Sequence, residues 1–268
     1  MHTIDKSKIA ILTTVANFEL YKRTATIFPE EIDKIVIDGT NGMYGLESIN
    51  YMFKKLNSKK YEWIIMADED IFFYDSNLVF DLITYMDKND YQISGVRDGG
   101  LIKHRINNPE VINTFFSVIN FKKLSEIYDF KLVKEHQIFI PEIFENKDYS
   151  FLKYDYDIKS LDEPYYCFYF WAILKGFKIL YLDTINPVNN DKTGNIVLDV
   201  NGNKIAFHSW YARAYKVHEK QTKRIDHYIK EFKIEEASIN LKDVQIFKRR
   251  FFNFKKRLKK SIKKYIGK

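Results

Sequence analysis

Two aspartates that flank a glutamate, Asp68 and Asp70, are the residues of this chain whose types and spacing most clearly indicate chemistry. They follow the apolar run 63–67, which predicts a strand buried on both faces. Because side chains alternate along an extended chain, Asp68 and Asp70 should share one side while Glu69 faces the other. Carboxylates at the carboxyl end of such a strand point into the crevice where α/β folds bind ligands. Their oxygens suit Mg²⁺ or Mn²⁺ that carries phosphate ligands, so the motif indicates a nucleotide-dependent enzyme.

The elements around this motif predict an α/β fold with a mainly parallel sheet flanked by helices, because strand-like and helical patterns alternate. The predicted strands are 8–15, 34–39, 63–67, 91–96, 114–119, 177–183 and 205–212. The predicted helices are 18–28, 46–56, 77–86, 122–128 and 165–174. The weakly periodic segment 131–161 is typical of variable substrate loops. The segment 186–202 is rich in Asn, Asp and Gly, which predicts a mobile loop or a hairpin.

Composition limits the class of protein. The chain has 268 residues, which suits one large α/β domain with an appendage. Cys167 is the single cysteine, so an intramolecular disulfide is excluded and a reducing compartment is expected. The charged N-terminus does not match an export signal, and no apolar run is long enough to span a bilayer.

The basic charge is concentrated in the C-terminal segment. Eleven Lys and Arg and no Asp or Glu lie within 244–268, so of the net charge of +7 residues 1–243 carry −4. Apolar residues in this segment recur at helical spacing, namely Phe247, Phe251, Phe254, Leu258, Ile262 and Tyr265. This pattern predicts a domain at 1–243 followed by a basic amphipathic helix at 244–268 that binds an anionic membrane surface. The alternative is a helix that docks on the domain at 1–243. A nucleic-acid partner is disfavoured, because these apolar residues form a stripe along one face of the helix.

The strand that ends in Asp68-Glu69-Asp70, with two βα units before it and a mixed half after it, resembles the GT-A fold glycosyltransferases. The likeness is to DxD-containing, family-2-like enzymes of the bacterial surface-glycan type, and it covers about residues 8–212. It implies a nucleotide-sugar donor, most simply a UDP-sugar, and Mn²⁺ or Mg²⁺ as cofactor. By this resemblance Asp68 contacts the ribose or a metal-bound water, and Asp70 holds the metal against the diphosphate. The alternative is that both aspartates cap the helix that begins near 75–77.

The same resemblance suggests roles for residues at other strand ends. Asp38 would bind the uridine or ribose, and Thr13 and Val15 would line the base pocket. His208 would be a further metal ligand. The alternatives are a turn residue at Asp38, ordinary strand-end residues at 13 and 15, and a buried structural histidine at 208.

Glycosyl transfer needs a base to remove the proton of the acceptor hydroxyl. Asp162 and Glu163 precede an aromatic helix, which resembles the acidic pair of inverting GT-A enzymes, although the family order is Glu-Asp. Asp162 fits the helix N-cap, with Pro164 close behind it, and this leaves Glu163 as the expected base. Cations that could stabilise a diphosphate leaving group are Arg97, Lys103, Arg105 and Arg213, and the sequence does not rank them.

Together these features predict an inverting, metal-dependent, hexosyltransferase-like enzyme on the cytoplasmic face of the inner membrane. Its acceptor would be a hydroxyl of a capsule or lipopolysaccharide-like surface glycan or of a lipid-linked glycan. The alternatives are a retaining transferase of the same fold and a non-catalytic membrane adaptor with a degenerate site. A sugar nucleotidyltransferase is disfavoured because residues 13–24 contain no glycine for a phosphate loop.

Overall fold

The computed structural model describes residues 4–266, which form two sheets flanked by helices. The strands are β1 (Ile9–Val15), β2 (Asp33–Asp38), β3 (Trp63–Ala67), β4 (Ile71–Phe73), β5 (Ile93–Arg97), β6 (Ile112–Asn120), β7 (Ile179–Leu182), β8 (Thr184–Ile185), β9 (Asn195–Leu198), β10 (Lys204–His208) and β11 (Gln245–Phe247). The helices are α1 (Phe18–Thr24), α2 (Leu46–Leu56), α3 (Leu78–Lys88), α4 (Phe121–Ser125), α5 (Phe130–Glu135), α6 (Tyr166–Leu174), α7 (Glu219–Glu231) and α8 (Phe252–Ile266).

The main sheet has seven strands in the order β11-β2-β1-β3-β6-β5-β7. All neighbouring strands are parallel except at β6, which is antiparallel to both β3 and β5. The α/β expectation is therefore confirmed, including a mainly parallel sheet with helices on its faces.

The core lies on both faces of this sheet. Helices α2 and α6 pack on one face, and α1 and α3 pack on the other. The helical spacing of Leu46, Ile49 and Met52 buries one side of α2, as expected. Helix α6 is apolar on nearly all sides, and its residues from Tyr166 to Ala172 are buried. All five residues of β3 are buried, so the strand that leads to Asp68 is held rigidly.

A second, antiparallel sheet determines where His208 lies. Its order is β4-β10-β9-β8, and β4 begins immediately after Asp70. Strand β10 pairs with β4 so that His208 lies opposite Ile71. The segment 186–202 contributes β9 to this sheet, which agrees with the hairpin alternative for that region. This pairing brings a residue that is distant in sequence to the end of β3.

The C-terminal segment differs from the single helix expected over 244–268. Gln245–Phe247 adds a parallel edge strand to β2, and the helix begins at Phe252. Phe247 therefore lies outside the helix, where its ring packs against Tyr51 at a centroid distance of 6.5 Å. Phe252 is buried in the core. Strand pairing and these two aromatic contacts place the beginning of the segment within the folded domain.

The rest of the apolar stripe is exposed. The exposed fractions are 73% for Phe251, 66% for Phe254, 48% for Leu258 and 45% for Ile262, while the side chain of Tyr265 lies outside the described residues. Within 4–266, no helix combines the length and the apolar character that a membrane crossing requires.

Candidate active site

Asp68, Asp70 and His208 form the cluster of ligand-type side chains at the carboxyl end of β3. One potential ligand atom from each lies within 4.8 Å of the others. The Nε2 atom of His208 is 3.2 Å from Oδ1 of Asp70, and both residues are buried, whereas Asp68 is half-buried. The structure thus brings together the three residues suggested as metal ligands.

Glu69 lies in the turn that follows β3 and also lines the cleft, but its carboxylate is held by the backbone that follows β1. Its carboxylate accepts hydrogen bonds from the backbone amides of Ala16 at 2.9 Å and Asn17 at 3.0 Å. Burial, together with the neighbouring charge of Asp70, raises the pKa of Glu69 to about 7 against the opposing effect of these amide bonds. Glu69 therefore fixes the end of β3 to the end of β1.

The electrostatics of the cluster favour a cation. Burial and the nearby carboxylates of Asp70 and Glu69 raise the pKa of Asp68 well above its ordinary value, and Arg213 partly opposes this. The Nδ1 atom of His208 is buried and has no hydrogen-bond partner among the described residues. Its ring stacks on Phe115 at 4.3 Å, which orients the imidazole. Two carboxylates and an imidazole are a donor set that fits Mn²⁺, and the carboxylates suit Mg²⁺.

The helix-capping alternative for these aspartates is wrong. Helix α3 begins at Leu78, and its N-cap residue Asn77 makes no side-chain capping bond. The carboxylate in the turn before it is Asp75, which accepts a hydrogen bond from the backbone amide of Asn77. The carboxylates of Asp68 and Asp70 are thus available to a ligand.

The cluster opens into a cleft of about 550 Å³. Residues that line it, besides the cluster itself, include Thr14, Tyr44, Arg105, Glu163, Trp210 and Arg213. A cavity of about 540 Å³ lies at the amino end of β2, lined by residues such as Glu30, Asp33 and Tyr61, on the opposite edge of the sheet. The cleft at the carboxyl edge is the one of the two that contains the cluster of Asp68, Asp70 and His208.

The structure does not place Thr13 and Val15 in this cleft. Val15 is fully buried in the core, and Thr13 is 1% exposed. Because side chains of a strand alternate, their neighbours Thr14 and Ala16 line the cleft instead. Strand β1 thus ends where the sequence predicts, but the prediction of which side chains face the cleft is wrong, because these are Thr14 and Ala16.

Asp38 also lies outside the cleft lining and forms the turn that the alternative interpretation describes. Its Oδ1 accepts a hydrogen bond from the backbone amide of Thr40 at 3.0 Å, and its Oδ2 lies 2.8 Å from Nζ of Lys248. Burial alone would raise the pKa of Asp38, but Lys248 and Thr40 outweigh burial and hold it below its usual value. No sequence pattern indicates that Lys248, from the C-terminal segment, reaches this carboxylate.

The two residues of the acidic pair have different positions. Glu163 lines the cleft, with Oε1 3.5 Å from Nη2 of Arg105. Asp162 is exposed and outside the cleft lining, and it does not cap α6, whose N-cap residue is Tyr165. The capping expectation for Asp162 is therefore wrong, because the chain makes a further turn at 163–165 before the helix begins.

The four candidate cations differ in their ion-pair partners and in their positions relative to the cleft. Arg97 forms an ion pair with Glu110, and Arg105 forms one with Asp98. Lys103 is exposed outside the cleft lining. Arg213 lines the cleft with no carboxylate partner among the described residues, and its guanidinium lies 4.5 Å from the ring centroid of Tyr44. Nζ of Lys256, on α8, lies 5.1 Å from the same ring centroid.

Two consecutive residues with left-handed backbone follow the His208 strand. Trp210 has φ of 63° and Tyr211 has φ of 67°, a conformation that costs non-glycine residues energy and clusters at functional sites. Trp210 donates a hydrogen bond from Nε1 to Oδ1 of Asn195 at 2.7 Å, and its ring packs on His208 at 4.3 Å. The turn presents both aromatic rings to the cleft.

Sequence reasoning missed Asp98, which is fully buried beside the cleft. Its carboxylate accepts two hydrogen bonds from Arg105, both of 2.8 Å. The other side chains that donate to it are those of Asn107, Asn113, Tyr165 and Tyr166. Burial alone would raise the pKa of Asp98, but Arg105 and the other donors outweigh burial and hold it below its usual value. These contacts join residues far apart in sequence, so no local pattern could reveal them.

Comparisons with known proteins add information at the level of the fold. No protein-family model matches the chain, and no curated protein does. Among solved structures, a glycosyltransferase involved in the glycosylation of the major capsid of PBCV-1 is 12% identical, with a TM-score of 0.42 over 82% of this chain and 98% of that one. A 4-diphosphocytidyl-2C-methyl-D-erythritol synthase from Anaerococcus prevotii is 16% identical, with a TM-score of 0.36 over 65% and 98%.

A mannosyltransferase from Pyrobaculum calidifontis, in complex with GDP-Man and Mn²⁺, is 8% identical, with a TM-score of 0.35. This chain spans about half of its length, and the match covers 47% of this chain and 48% of that one. Glycosyltransferases and a nucleotidyltransferase thus share similarity to this chain.

Replacing Asp98 with Asn should lower the free energy of unfolding by about 3–5 kcal/mol, because it leaves the half-buried Arg105 without its anionic partner. The folded-state pKa of Asp98 lies below the unfolded value of about 3.9, so its stabilising contribution is present above that pH and is lost as the pH falls through the folded pKa. Urea unfolding between about pH 7 and pH 3 should show a smaller acid-induced loss in the variant. Asp162→Asn, at an exposed position, is the control, and equal pH dependence in Asp98→Asn and the wild type would contradict this account.

Proposed function

We propose that this protein is a metal-dependent glycosyltransferase that moves a sugar from a nucleotide-sugar donor, a UDP-sugar in the simplest case, to a hydroxyl group. The observation that carries the proposal is the convergence of complementary groups in one cleft. Asp68, Asp70 and His208 offer a metal site, Glu163 offers a base and Arg213 offers a cation. Each demand of glycosyl transfer from a diphosphate thus has a candidate residue within one cleft.

The three ligand-type residues would hold the cofactor and orient the donor. Asp70 and His208 would bind Mn²⁺ or Mg²⁺, and Asp68 would contact the ribose or a metal-bound water. The bound metal would supply Lewis-acid stabilisation of the diphosphate oxygens. The stacking of His208 on Phe115 and the pairing of β10 with β4 keep the imidazole in place before a ligand arrives.

Arg213 would stabilise the negative charge that develops on the leaving diphosphate. Its guanidinium lies over the ring of Tyr44, which restrains the side chain without neutralising it. Its electrostatic influence on Asp68 indicates that it faces the same ligand space. This combination supports Arg213 over Arg97 and Arg105, whose charges are paired with Glu110 and Asp98.

Glu163 would take the proton of the acceptor hydroxyl, which corresponds to an inverting reaction. Its position in the cleft supports this role, and the exposed Asp162 is not expected to take part. In a retaining reaction on the same fold, Glu163 would have no role as a base. The anomeric configuration of the product distinguishes these two mechanisms.

Asp70→Asn should abolish metal-dependent donor turnover, because it removes one anionic ligand from the cluster. Hydrolysis of UDP-glucose, UDP-galactose and GDP-mannose with Mn²⁺ would be measured, together with Mn²⁺ binding by calorimetry. Asp81→Asn, at an exposed position on α3, is the control and should behave as the wild type. Unchanged turnover in Asp70→Asn would contradict the metal assignment, and a wild-type chain that binds vesicles but turns over no donor would favour the adaptor alternative.

Glu163→Gln should lower the transfer kcat by about 10²–10⁴-fold, because the amide cannot accept the hydroxyl proton. Affinity for Mn²⁺ should stay the same, since Glu163 is not part of the metal cluster. Initial rates with the donors above and an octyl glycoside acceptor provide the measurement, and Asp162→Asn is the matched control. A Gln variant with normal kcat would remove Glu163 as the base.

The C-terminal segment supports a location at a membrane surface, which we propose to be the cytoplasmic face of the inner membrane. Four exposed apolar residues accompany many Lys and Arg, a combination that suits an interfacial helix on anionic lipid. Because β11 is parallel to β2, the chain leaves the sheet at the carboxyl edge, beside the cleft. An enzyme held there would meet a lipid-linked or surface-glycan acceptor of the capsule or lipopolysaccharide type.

Replacing Phe251, Phe254 and Leu258 with Ser should lower binding to vesicles of phosphatidylglycerol and phosphatidylcholine by roughly 10²-fold or more, because each side chain loses its transfer energy. Cosedimentation measures the bound fraction, and activity on a soluble acceptor should stay unchanged. The matched control replaces Leu132, Ile138 and Leu174, which are also exposed apolar residues. Equal loss in both triple variants would show that α8 has no special role.

A further inference from the structure

Arg105 is fixed in place by the buried Asp98. The guanidinium donates from Nε to Oδ1 and from Nη2 to Oδ2, both at 2.8 Å, so the pair has the two-pronged geometry that arginine and carboxylate favour. Asp98 cannot turn away, because the side chains of Asn107, Asn113 and Tyr166 also donate to it. A buried, over-coordinated carboxylate therefore presents a rigid cation at the wall of the cleft.

The free side of this guanidinium faces Glu163. Nη2 carries two hydrogens, and while one serves Asp98 the other is available to Oε1 of Glu163, 3.5 Å away. The backbone of Glu163 is held as well, since its carbonyl accepts from the amide of Tyr166 at 3.1 Å and from Nε2 of Gln137 at 3.2 Å. The backbone carbonyl of Glu163 is thus held by hydrogen bonds, and its carboxylate lies beside Arg105. Glu163 lines the same cleft as Asp68 and Asp70.

We propose that Arg105 is a positioning residue for Glu163, an inference that rests on the proposed role of Glu163 as the base. Arg105 binds one carboxylate oxygen and leaves the other facing the acceptor hydroxyl. Glu163 accepts the hydroxyl proton while the hydroxyl oxygen forms its bond to the anomeric carbon. The bond from that carbon to the diphosphate breaks, and its electron pair leaves with the phosphate.

The neighbouring pair of Arg97 and Glu110 shows what a purely structural arginine looks like in this fold. Arg97 is the last residue of β5, and its Nη1 is 3.1 Å from Oε1 of Glu110, which is 1% exposed. The guanidinium stacks on Tyr181 at 3.4 Å and does not line the cleft. Arg97→Ala is therefore a matched control, because it removes a buried arginine from an ion pair without touching the site.

The test compares Arg105→Ala, Arg105→Lys and Arg97→Ala in the full chain. The substrates are the donor among UDP-glucose, UDP-galactose and GDP-mannose that the wild type turns over fastest and an octyl glycoside acceptor. Arg105→Ala should lower kcat by about 10²-fold while acceptor KM and Mn²⁺ affinity change little. Added guanidinium chloride at millimolar concentration should restore part of the lost kcat. Arg105→Lys should retain an intermediate kcat, since it keeps the charge but loses the planar fork.

Arg97→Ala should lower the midpoint of thermal unfolding while its kcat stays normal and does not respond to guanidinium. The double variant Arg105→Ala with Glu163→Gln should have the same kcat as Glu163→Gln alone, because Arg105 acts through Glu163. A normal kcat in Arg105→Ala, a loss that guanidinium does not rescue, or additive losses in the double variant would overturn the positioning role. A normal kcat in Glu163→Gln, or no turnover of any donor, would instead overturn the proposed function on which it rests.

Discussion

The hydrogen bonds that Glu69 accepts from the backbone amides of Ala16 and Asn17 are the constraint on which the site depends. They join the turn after β3 to the backbone after β1 and so hold the turn that carries Asp68 and Asp70 at the cleft. Asn17 continues the connection, because its side-chain amide donates to the carbonyls of Ala212 and Tyr215 at 3.0 Å and 2.8 Å. The turn that carries Arg213 is thereby fixed to the same point. The middle residue of the motif thus organises the site through its hydrogen bonds to the backbone after β1.

The charges around the cleft are arranged in two layers. The inner layer consists of Asp68, which has no ion-pair partner within residues 4–266, of Asp70, which contacts His208, and of Glu163, which lies 3.5 Å from Arg105. The outer layer consists of ion pairs that are already satisfied, such as Asp98 with Arg105. Unsatisfied charge is costly in a protein interior, and it is retained where a ligand or a reaction compensates for it. This distribution favours a functional interpretation of the inner residues.

Much of the fold could be predicted from local patterns. Helix α2 and strand β3 lie at the expected positions, because apolar spacing over a single element reports directly which face is buried. Strand alternation does not describe Asp68, Glu69 and Asp70, because the chain turns at 69–70 and all three residues line the cleft. The facing of Thr13 and Val15 could not be decided this way, because β1 is buried on both sides and carries no alternation to read. In such a strand, sequence shows where it ends but not which side chains meet the cleft.

Other parts of the site depend on contacts between distant segments. The network around Asp98 draws on four stretches of chain, and its members look like ordinary loop, strand and helix residues in the sequence. The contact between Lys248 and Asp38 depends on the pairing of β11 with β2. A strand of three residues is too short for a sequence pattern to predict that pairing. The sequence predicts different roles for Asp162 and Glu163 because it predicts that a helix begins next to them. In the structure the chain first turns at Pro164, and α6 begins at Tyr166. Local propensity could not supply these placements, since tertiary contacts determine them.

The short strand β11 has a consequence for how the chain behaves among its own copies. It covers Ile35, Val36 and Ile37 of β2, an apolar β-branched run whose backbone would otherwise form the open margin of the sheet. An exposed, hydrophobic edge strand of that kind is a template for pairing with other molecules, whereas a three-residue margin flanked by cations is a poor one. The C-terminal segment thus protects the folded protein against self-association. A chain shortened to end before residue 245 would lack β11 and would expose β2 as an aggregation-prone edge strand.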